Sequence, residues 1–373
     1  MSYKYYMPTK LVFGQDCIQE YSGLFSAYGK KAMIVSGKHS SKINGSQEDV
    51  TRALEKQNIE YIMFDKVMSN PTTNCCYEGA KIAKEVGIDF IVAIGGGSPM
   101  DAAKAIALLA KQEISQEQLL QGEFEHRALP VIAVPTTAGT GSEVTQYAIL
   151  TNDLIESKTG VASEVIFPKI AFVDSKYMRD LSVEITINTA IDALSHAIEG
   201  ILSVRSSVLS DTLAQESIEL FSRCIQSLGE AKARNSIEVF NDTIRDMLAK
   251  CSTLAGMVIA QTGTTVVHAM GYSLTYFKTI DHGRANGLLL AQYLELVNEK
   301  EPELVDKILH PMGSKTIQAF RELMNTLLGE PETVTIEEIE RFSEKAVNTG
   351  NMNNCRVRPT QEEVVNMFKV TFK

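Results

Sequence analysis

Asp192 and His196 stand four residues apart on a stretch with helical periodicity, and His268 and His282 follow in the same helix-patterned half of a 373-residue chain. One carboxylate and three imidazoles make a ligand set for a divalent cation of borderline softness, Fe(II) or Zn2+. The i,i+4 spacing turns the first two side chains toward one helical face. Spacing alone leaves the matter open, because a single histidine is more often a hydrogen-bonded core or surface residue. His39, His126 and His310 are expected to be of that ordinary kind. Far upstream, Gly95-Gly96-Gly97-Ser98 reads as a glycine-rich turn between a strand and a helix. A phosphate cradle in one half and a Lewis acid in the other imply a metal-assisted dehydrogenase.

Those groups need a strand–turn–helix unit and a helical scaffold, and the patterning supplies both. Short apolar runs at residues 31–36, 59–64, 89–94 and 129–134 read as strands, with further runs at 160–165 and 170–173. Helical patterns at 47–56 and 77–86 lie between the earlier ones. Near-continuous apolar strands alternating with helices predict a parallel sheet covered on both faces. After Asp174 no convincing strand recurs, and helical patterns cover 185–202, 209–227, 236–261, 265–277, 284–298, 316–328, 336–347 and 361–369. The boundary falls near Lys176. Residues 1–176 then form an α/β dinucleotide-binding domain and 177–373 an all-α metal-binding domain. No low-complexity linker separates them, so they are expected to pack around a shared cleft.

In the cradle, three glycines allow a ligand to approach the backbone closely. Ser98 suits a helix N-cap, Pro99 the first helical position and Asp101 the first turn. Met100 stands where a G-x-G-x-x-G pattern would put its third glycine, so this turn alone is a weak signal. A second turn strengthens it: Pro135-Thr136-Thr137-Ala138-Gly139-Thr140-Gly141-Ser142-Glu143-Val144-Thr145 follows another apolar strand and is rich in hydroxyls. Hydroxyls and amides at neighbouring strand ends can hold a dinucleotide without excess positive charge.

The bulk composition limits the partners. A formal net charge of −10 argues against nucleic acid and anionic membrane, whose phosphates need surplus Lys and Arg. No apolar run approaches a membrane span, and the first residues lack the apolar stretch of a secretory signal. Cys17, Cys75, Cys76, Cys224, Cys251 and Cys355 show no metal or redox spacing, and reduced thiols in the cytoplasm are the expectation. The expected partner is a small-molecule alcohol or aldehyde, with a homodimer left open.

The order of these motifs resembles a known family. Gly95-Gly96-Gly97-Ser98-Pro99-Met100-Asp101, PTTAGTGSEVT at 135–145, Asp192-Ala193-Leu194-Ser195-His196, Val267-His268-Ala269-Met270-Gly271-Tyr272 and Asp281-His282-Gly283 are similar to those of the iron-containing (group III) alcohol dehydrogenases. The likeness runs from Met7-Pro8-Thr9 to at least Leu290. It implies a dehydroquinate-synthase-like architecture and a metal held by Asp192, His196, His268 and His282. It also implies a nicotinamide cofactor contacting Gly37, Ser40, Asn70, Gly95, Gly96, Gly97, Ser98, Asp101, Thr136, Thr137, Thr140, Ser142, Thr145 and Lys158. One position departs. Many members carry a second histidine four residues after the equivalent of His268, where this chain has Tyr272. A relay role for that histidine cannot be carried over, and Tyr272 is expected to donate a hydrogen bond or line the pocket.

With one carboxylate and three neutral imidazoles, a divalent ion keeps about one unit of positive charge, able to stabilise an alkoxide or polarise an aldehyde. The cofactor carries the two electrons. Ile259, Val266 and Met270 suggest a small dry pocket, and no Lys or Arg is placed to grip a carboxylate or phosphate. Small primary alcohols, diols and aldehydes are the expected substrates. A dehydroquinate-synthase-like lyase would need a basic cluster that is missing, and a glycerol dehydrogenase builds its site from fewer protein ligands. An iron oxygenase or a non-catalytic nucleotide sensor leaves, respectively, the nucleotide loops or the ligand set unexplained. NADP(H) is expected over NAD(H). Family members that prefer NAD carry an aspartate where Gly37 stands, and a glycine leaves room for a 2′-phosphate. Ser36 or Ser40 could donate to that phosphate, and Lys38 or Lys42 could neutralise it.

Overall fold

The computed structural model describes residues 3–372 and divides into two compact units. One comprises Met7–Thr137 and Gly141–Asp180. The other comprises the chain from Leu181 onward, the segment up to Tyr6, and Ala138–Thr140.

The first unit is built on six parallel strands: β1 (Lys10–Phe13), β2 (Lys31–Gly37), β3 (Glu60–Val67), β4 (Phe90–Gly95), β5 (Val131–Pro135) and, later in the chain, β8 (Ile170–Val173). Their order is β1-β8-β5-β4-β2-β3. Strand β4 is buried at every position, as a central parallel strand covered on both faces must be. Register sets Ile34 beside Val92 and Val92 beside Ile132. These residues share a core with Phe172, whose ring stacks on Phe25 at 5.3 Å. The helices are α1 (Cys17–Glu20), α2 (Ser40–Ile43), α3 (Ser46–Lys56), α4 (Thr73–Val86), α5 (Gly97–Leu109) and α6 (Gln116–Gln121). A hairpin, β6 (Tyr147–Asn152) with β7 (Ser157–Ala162), completes the unit.

Two strands are absent from the sequence expectation. The four residues of β1 form a half-exposed edge and leave little apolar signal. Strand β6 alternates buried and half-exposed positions, a period-2 pattern that polar neighbours obscure. The run expected at 160–165 ends its strand at Ala162 and turns into a 3-10 segment, Glu164–Ile166.

The second unit contains α7 (Val183–Ile201), α8 (Val208–Arg234), α9 (Asp242–Thr262), α10 (Val266–Lys278), α11 (His282–Lys300), α12 (Pro302–Met312), α13 (Ile317–Leu328), α14 (Ile336–Val347) and α15 (Gln361–Thr371). Its described residues form no named strand, only an isolated bridge between Ser203 and Cys355. Helix α7 starts where Ser182 accepts from the Ile185 amide, and it is buried on nearly its whole surface, as a central helix packed by α8, α9 and α11 must be. The helix expected at 236–261 instead begins at Asp242, where the Asn241 side chain accepts from the Ile244 amide. Helix α12 is missing from the sequence reading, although Pro302 at its first turn was a legible start signal.

Candidate active site

Three helices of the second unit bring the four expected ligands together. Oδ1 of Asp192 lies 4.0 Å from Nε2 of His196, 3.9 Å from Nε2 of His268 and 4.0 Å from Nε2 of His282. Helix α7 supplies the first pair at its i,i+4 spacing, α10 supplies His268, and α11 begins at His282. The rings of His196 and His268 stack at 4.7 Å, and His282 meets His268 edge-on at 5.0 Å. Asp192, His196 and His268 are buried, while the His282 side chain remains 26% exposed and marks the open side.

The donor chemistry fits a divalent ion. Bonds of about 2.0–2.1 Å to a tetrahedral ion put ligand atoms roughly 3.4 Å apart, so these side chains need close by only about half an ångström. Burial holds the His196 imidazole below its ordinary value, against the pull of Asp192, so it stays neutral as a ligand must. Asn286, four residues after His282 on α11, aims its amide at the same lone pairs. Its Nδ2 is 3.1 Å from Asp192 Oδ1, 3.2 Å from His268 Nε2 and 3.4 Å from His282 Nε2. Three acceptors converging on one donor mark an electron-rich focus suited to a cation. Gly283 makes the assembly possible: a Cβ there would stand 1.8 Å from the Asn188 carbonyl oxygen on α7. Among the described residues, Asp192, His196 and His268 form a cluster tight enough to hold a metal, with His282 at its edge.

Two neighbours escaped the sequence reading. Glu199 continues the Asp192–His196 face of α7 and is fully buried. Its Oε2 accepts from Nδ1 of His268, and its Oε1 accepts from the backbone of Thr265, Val267 and His268 and from the Thr265 hydroxyl. Burial alone would raise its carboxyl, but His268 and the Thr265 donors outweigh burial and hold it below the ordinary range. The i+3 spacing from His196 was the available signal for Glu199, and the i+4 spacing from His282 for Asn286.

Tyr272 is half-buried and stacks on His282 at 5.7 Å with the rings 11° from parallel. Val266 and Met270, expected to line a dry pocket, are fully buried core, and Ile259 is 6% exposed.

In the first unit, Gly37 and Gly95 end the adjacent strands β2 and β4, where the strand order reverses direction. Such a switch point, at the carboxyl ends of the strands, is where open α/β sheets form a ligand crevice. Gly95 has φ +149°, and its missing side chain leaves room for Pro99, whose Cγ would lie 2.5 Å from a Cβ. Helix α5 starts at Gly97 with Gly96 as its N-cap, two residues earlier than the Ser98 cap expected from sequence. Ser98 instead accepts from the Asn70 amide at 3.2 Å, and Asn70 is itself left-handed at φ +57°. The Thr136 amide donates to Gly95 O at 2.9 Å, and Thr137 packs against Gly96.

Asp101 turns inward. Ser142 Oγ donates to one of its oxygens at 2.7 Å and the Ile149 amide to the other at 3.0 Å. Lys104, fully buried, donates to Ser142 at 2.7 Å, Thr145 at 3.2 Å and Tyr147 O at 2.8 Å. Burial pushes this ammonium down to about 8 and the Asp101 carboxyl up. The network ties α5 to the hydroxyl-rich turn, so Asp101, Ser142 and Thr145 fix that turn's shape. Lys158 is half-buried on β7. Thr140 belongs with the second unit, where neighbouring Gly139 fits tightly against Thr189 of α7. At the end of β2, Ser36 is fully buried and donates to Gly37 O, and Lys42 is paired with Asp65 at 2.7 Å. Ser40 and Lys38 remain exposed there.

All six cysteines are free thiols, and no helix among the described residues is long and apolar enough to cross a membrane. A family model described as iron-containing alcohol dehydrogenase matches residues 8–175, and one described as the C-terminal part of that family matches 186–372. Alcohol dehydrogenase 4 of Schizosaccharomyces pombe is 30% identical over 98% of this chain and 88% of its own length. The 1,3-propanediol dehydrogenase of Klebsiella pneumoniae is 30% identical over 100% of both chains. A crystal structure of an iron-containing alcohol dehydrogenase from Thermotoga maritima superposes with a TM-score of 0.90 at 38% identity, covering 100% of this chain and 99% of that one. Family models over both halves and relatives along its full length agree with the ligand geometry: the chain belongs to the iron-containing alcohol dehydrogenase family.

Proposed function

We propose that this protein transfers a hydride between NADP(H) and a small uncharged primary alcohol, diol or aldehyde. In this reading residues 1–176 hold the dinucleotide and 177–373 hold iron(II) or zinc(II) through Asp192, His196, His268 and His282. At the coarser level the protein is a metal-dependent alcohol dehydrogenase or aldehyde reductase. The observation that carries the reading is the convergence of three Nε2 atoms on Asp192 Oδ1. These four side chains would hold a divalent ion, which would supply Lewis acidity toward a substrate oxygen, and the nicotinamide would carry the two electrons.

The chain's own residues do the rest. Burial keeps His196 neutral and Asn286 steadies the Asp192 carboxylate. The exposed flank of His282, with Tyr272 stacked on it, leaves one side for substrate. The basic side chains nearest the ligands in sequence are already engaged: Lys278 holds Glu338 at 3.0 Å and Arg284 holds Glu332 at 2.6 Å. That favours an uncharged substrate over a phosphorylated acid, and so a dehydrogenase over a lyase of similar architecture.

The preference for NADP(H) is supported by Gly37. A Cβ there would make only ordinary contact, 3.5 Å from Val67 O, so the backbone does not demand glycine. The absence of a side chain at Gly37, beside exposed Lys38 and Ser40, suits a 2′-phosphate. Free thiols fit a reducing cytoplasm. The test is to load the full-length protein anaerobically with Fe(II) or Zn(II) and follow reduced-nicotinamide absorbance across short alcohols, diols and aldehydes. Metal-dependent turnover is expected, with NADPH outperforming NADH in kcat/KM. No turnover with any of them would defeat the proposal.

A further inference from the structure

Glu199 is a fully buried charged group that the mechanism leaves without a task. Its carboxylate faces two structures at once. Oε1 accepts from the Thr265 amide at 2.9 Å, the Val267 amide at 3.1 Å and the His268 amide at 3.3 Å, and from the Thr265 hydroxyl at 2.5 Å. Amides at the start of a helix have no partner within the helix, so a side chain of α7 caps α10 and places negative charge at its positive end. Oε2 meets Nδ1 of His268, while Nε2 of the same ring faces Asp192 Oδ1 at 3.9 Å.

We propose that Glu199 is a positioning residue for the metal centre: one oxygen seats the first turn of α10, and the other accepts a hydrogen bond from Nδ1–H of His268, locking the ring with its Nε2 lone pair toward Asp192. An ionised carboxylate is acceptor-only, so it selects the tautomer with hydrogen on Nδ1. Capping fixes the backbone that carries His268, and the Oε2 contact fixes the ring's rotation. The second carboxylate also offsets charge. With Asp192 and Glu199 ionised, a divalent ion in this buried cluster is formally neutralised, which lessens the cost of holding it away from water.

The inference rests on the metal reading of this site, and one set of measurements separates the two. Full-length parent and Glu199→Gln are stripped and titrated with Co(II), recording dissociation constants and the visible spectrum of the loaded protein. Cys224→Ala, a buried change on α8, serves as a control for general loss of packing. Glu199→Gln should weaken Co(II) binding roughly 10- to 100-fold and shift the cobalt bands, while Cys224→Ala leaves both unchanged. A Glu199→Gln variant with parent-like affinity and spectrum overturns the inference alone. A parent that binds neither Co(II) nor Zn(II) overturns the metal reading and the inference together.

Nitrogen-15 NMR of the parent's histidine rings needs no variant, so it decides even if Glu199→Gln fails to fold. His268 should appear as the Nδ1–H tautomer, with its proton shifted far downfield by the carboxylate. A predominant Nε2–H tautomer would overturn the proposal.

Discussion

Gly283→Ala should damage the metal centre from a position that carries no ligand. The added Cβ would sit 1.8 Å from the Asn188 carbonyl oxygen, 2.8 Å from its carbon and 2.9 Å from Asp192 Cβ. Real Cβ contacts stay beyond about 3 Å, so backbone must retreat by about 1.2 Å, and no side chain can swing away to absorb it. The start of α11 must therefore lift from α7, carrying His282 and Asn286 away from Asp192. Overpacking of this kind costs about 1–3 kcal/mol of stability. The site is less forgiving, because metal–ligand distances tolerate only about 0.2 Å. If four ligands share a binding energy of about 10–16 kcal/mol, losing one forfeits about 2.5–4 kcal/mol. That weakens Kd on the order of a hundred- to a thousandfold. Calorimetric Co(II) or Zn(II) titration of full-length protein reads the affinity, and thermal melting by circular dichroism reads the stability. Gly229→Ala on α8, with nothing within 4 Å of the new methyl, is the matched control and should leave metal binding unchanged. Parent-like metal affinity in Gly283→Ala would refute the close-approach argument.

Other perturbations probe the remaining links. His268→Ala or His282→Ala should abolish turnover and lower metal occupancy while far-ultraviolet dichroism stays near the parent's; stoichiometric metal with full activity would exclude the assigned ligands. Gly97→Val, at the first position of α5, should weaken nicotinamide-cofactor binding at least about tenfold and leave metal affinity alone; equal cofactor affinity would remove this turn as the phosphate site. Gly37→Asp should shift kcat/KM from NADPH toward NADH by repelling the 2′-phosphate, and a parent already favouring NADH would sink that idea. Stability should fall above about pH 9. Burial pushes Cys251 and Cys355 up to about 11 and Cys17 and Cys224 to about 12, so the unfolded chain loses thiol protons that the folded chain keeps. The stability they lend is intact below the ordinary thiol value and is lost as pH rises through the folded values. Lys104, held at about 8, acts in the opposite sense but is one group against four. Denaturant unfolding at about pH 8 and about pH 10 tests the balance; equal or greater stability at the higher pH would contradict it.

Much of this protein was legible in its sequence because the signals were local. Residues 31–36, 89–94 and 129–134 read as buried parallel strands because a strand covered on both faces is nearly continuously apolar; β4 and β5 are apolar and buried along their length, and β2 is buried from Ala32 to Ser36. Helical spacing showed only that Asp192 and His196 share a face; the resemblance of their motifs to a family made them, with His268 and His282, the candidate ligands. Folding alone decided which neighbours surround those candidate ligands. Glu199 lies 69 residues before His268 and Asn286 lies 94 after Asp192, so each pairing exists only once α7, α10 and α11 are packed. Asp101 shows the converse. Its position after three glycines suggested a residue at a phosphate-binding helix start, yet the segment 142–149 folds over α5 and takes both its oxygens. Lys42 looked like a cation for a phosphate until β3 brought Asp65 beside it. Spacing fixes which side chains share a face of one element; what that face meets depends on partners distant in the chain, and burial makes those partners obligatory for every charge it encloses.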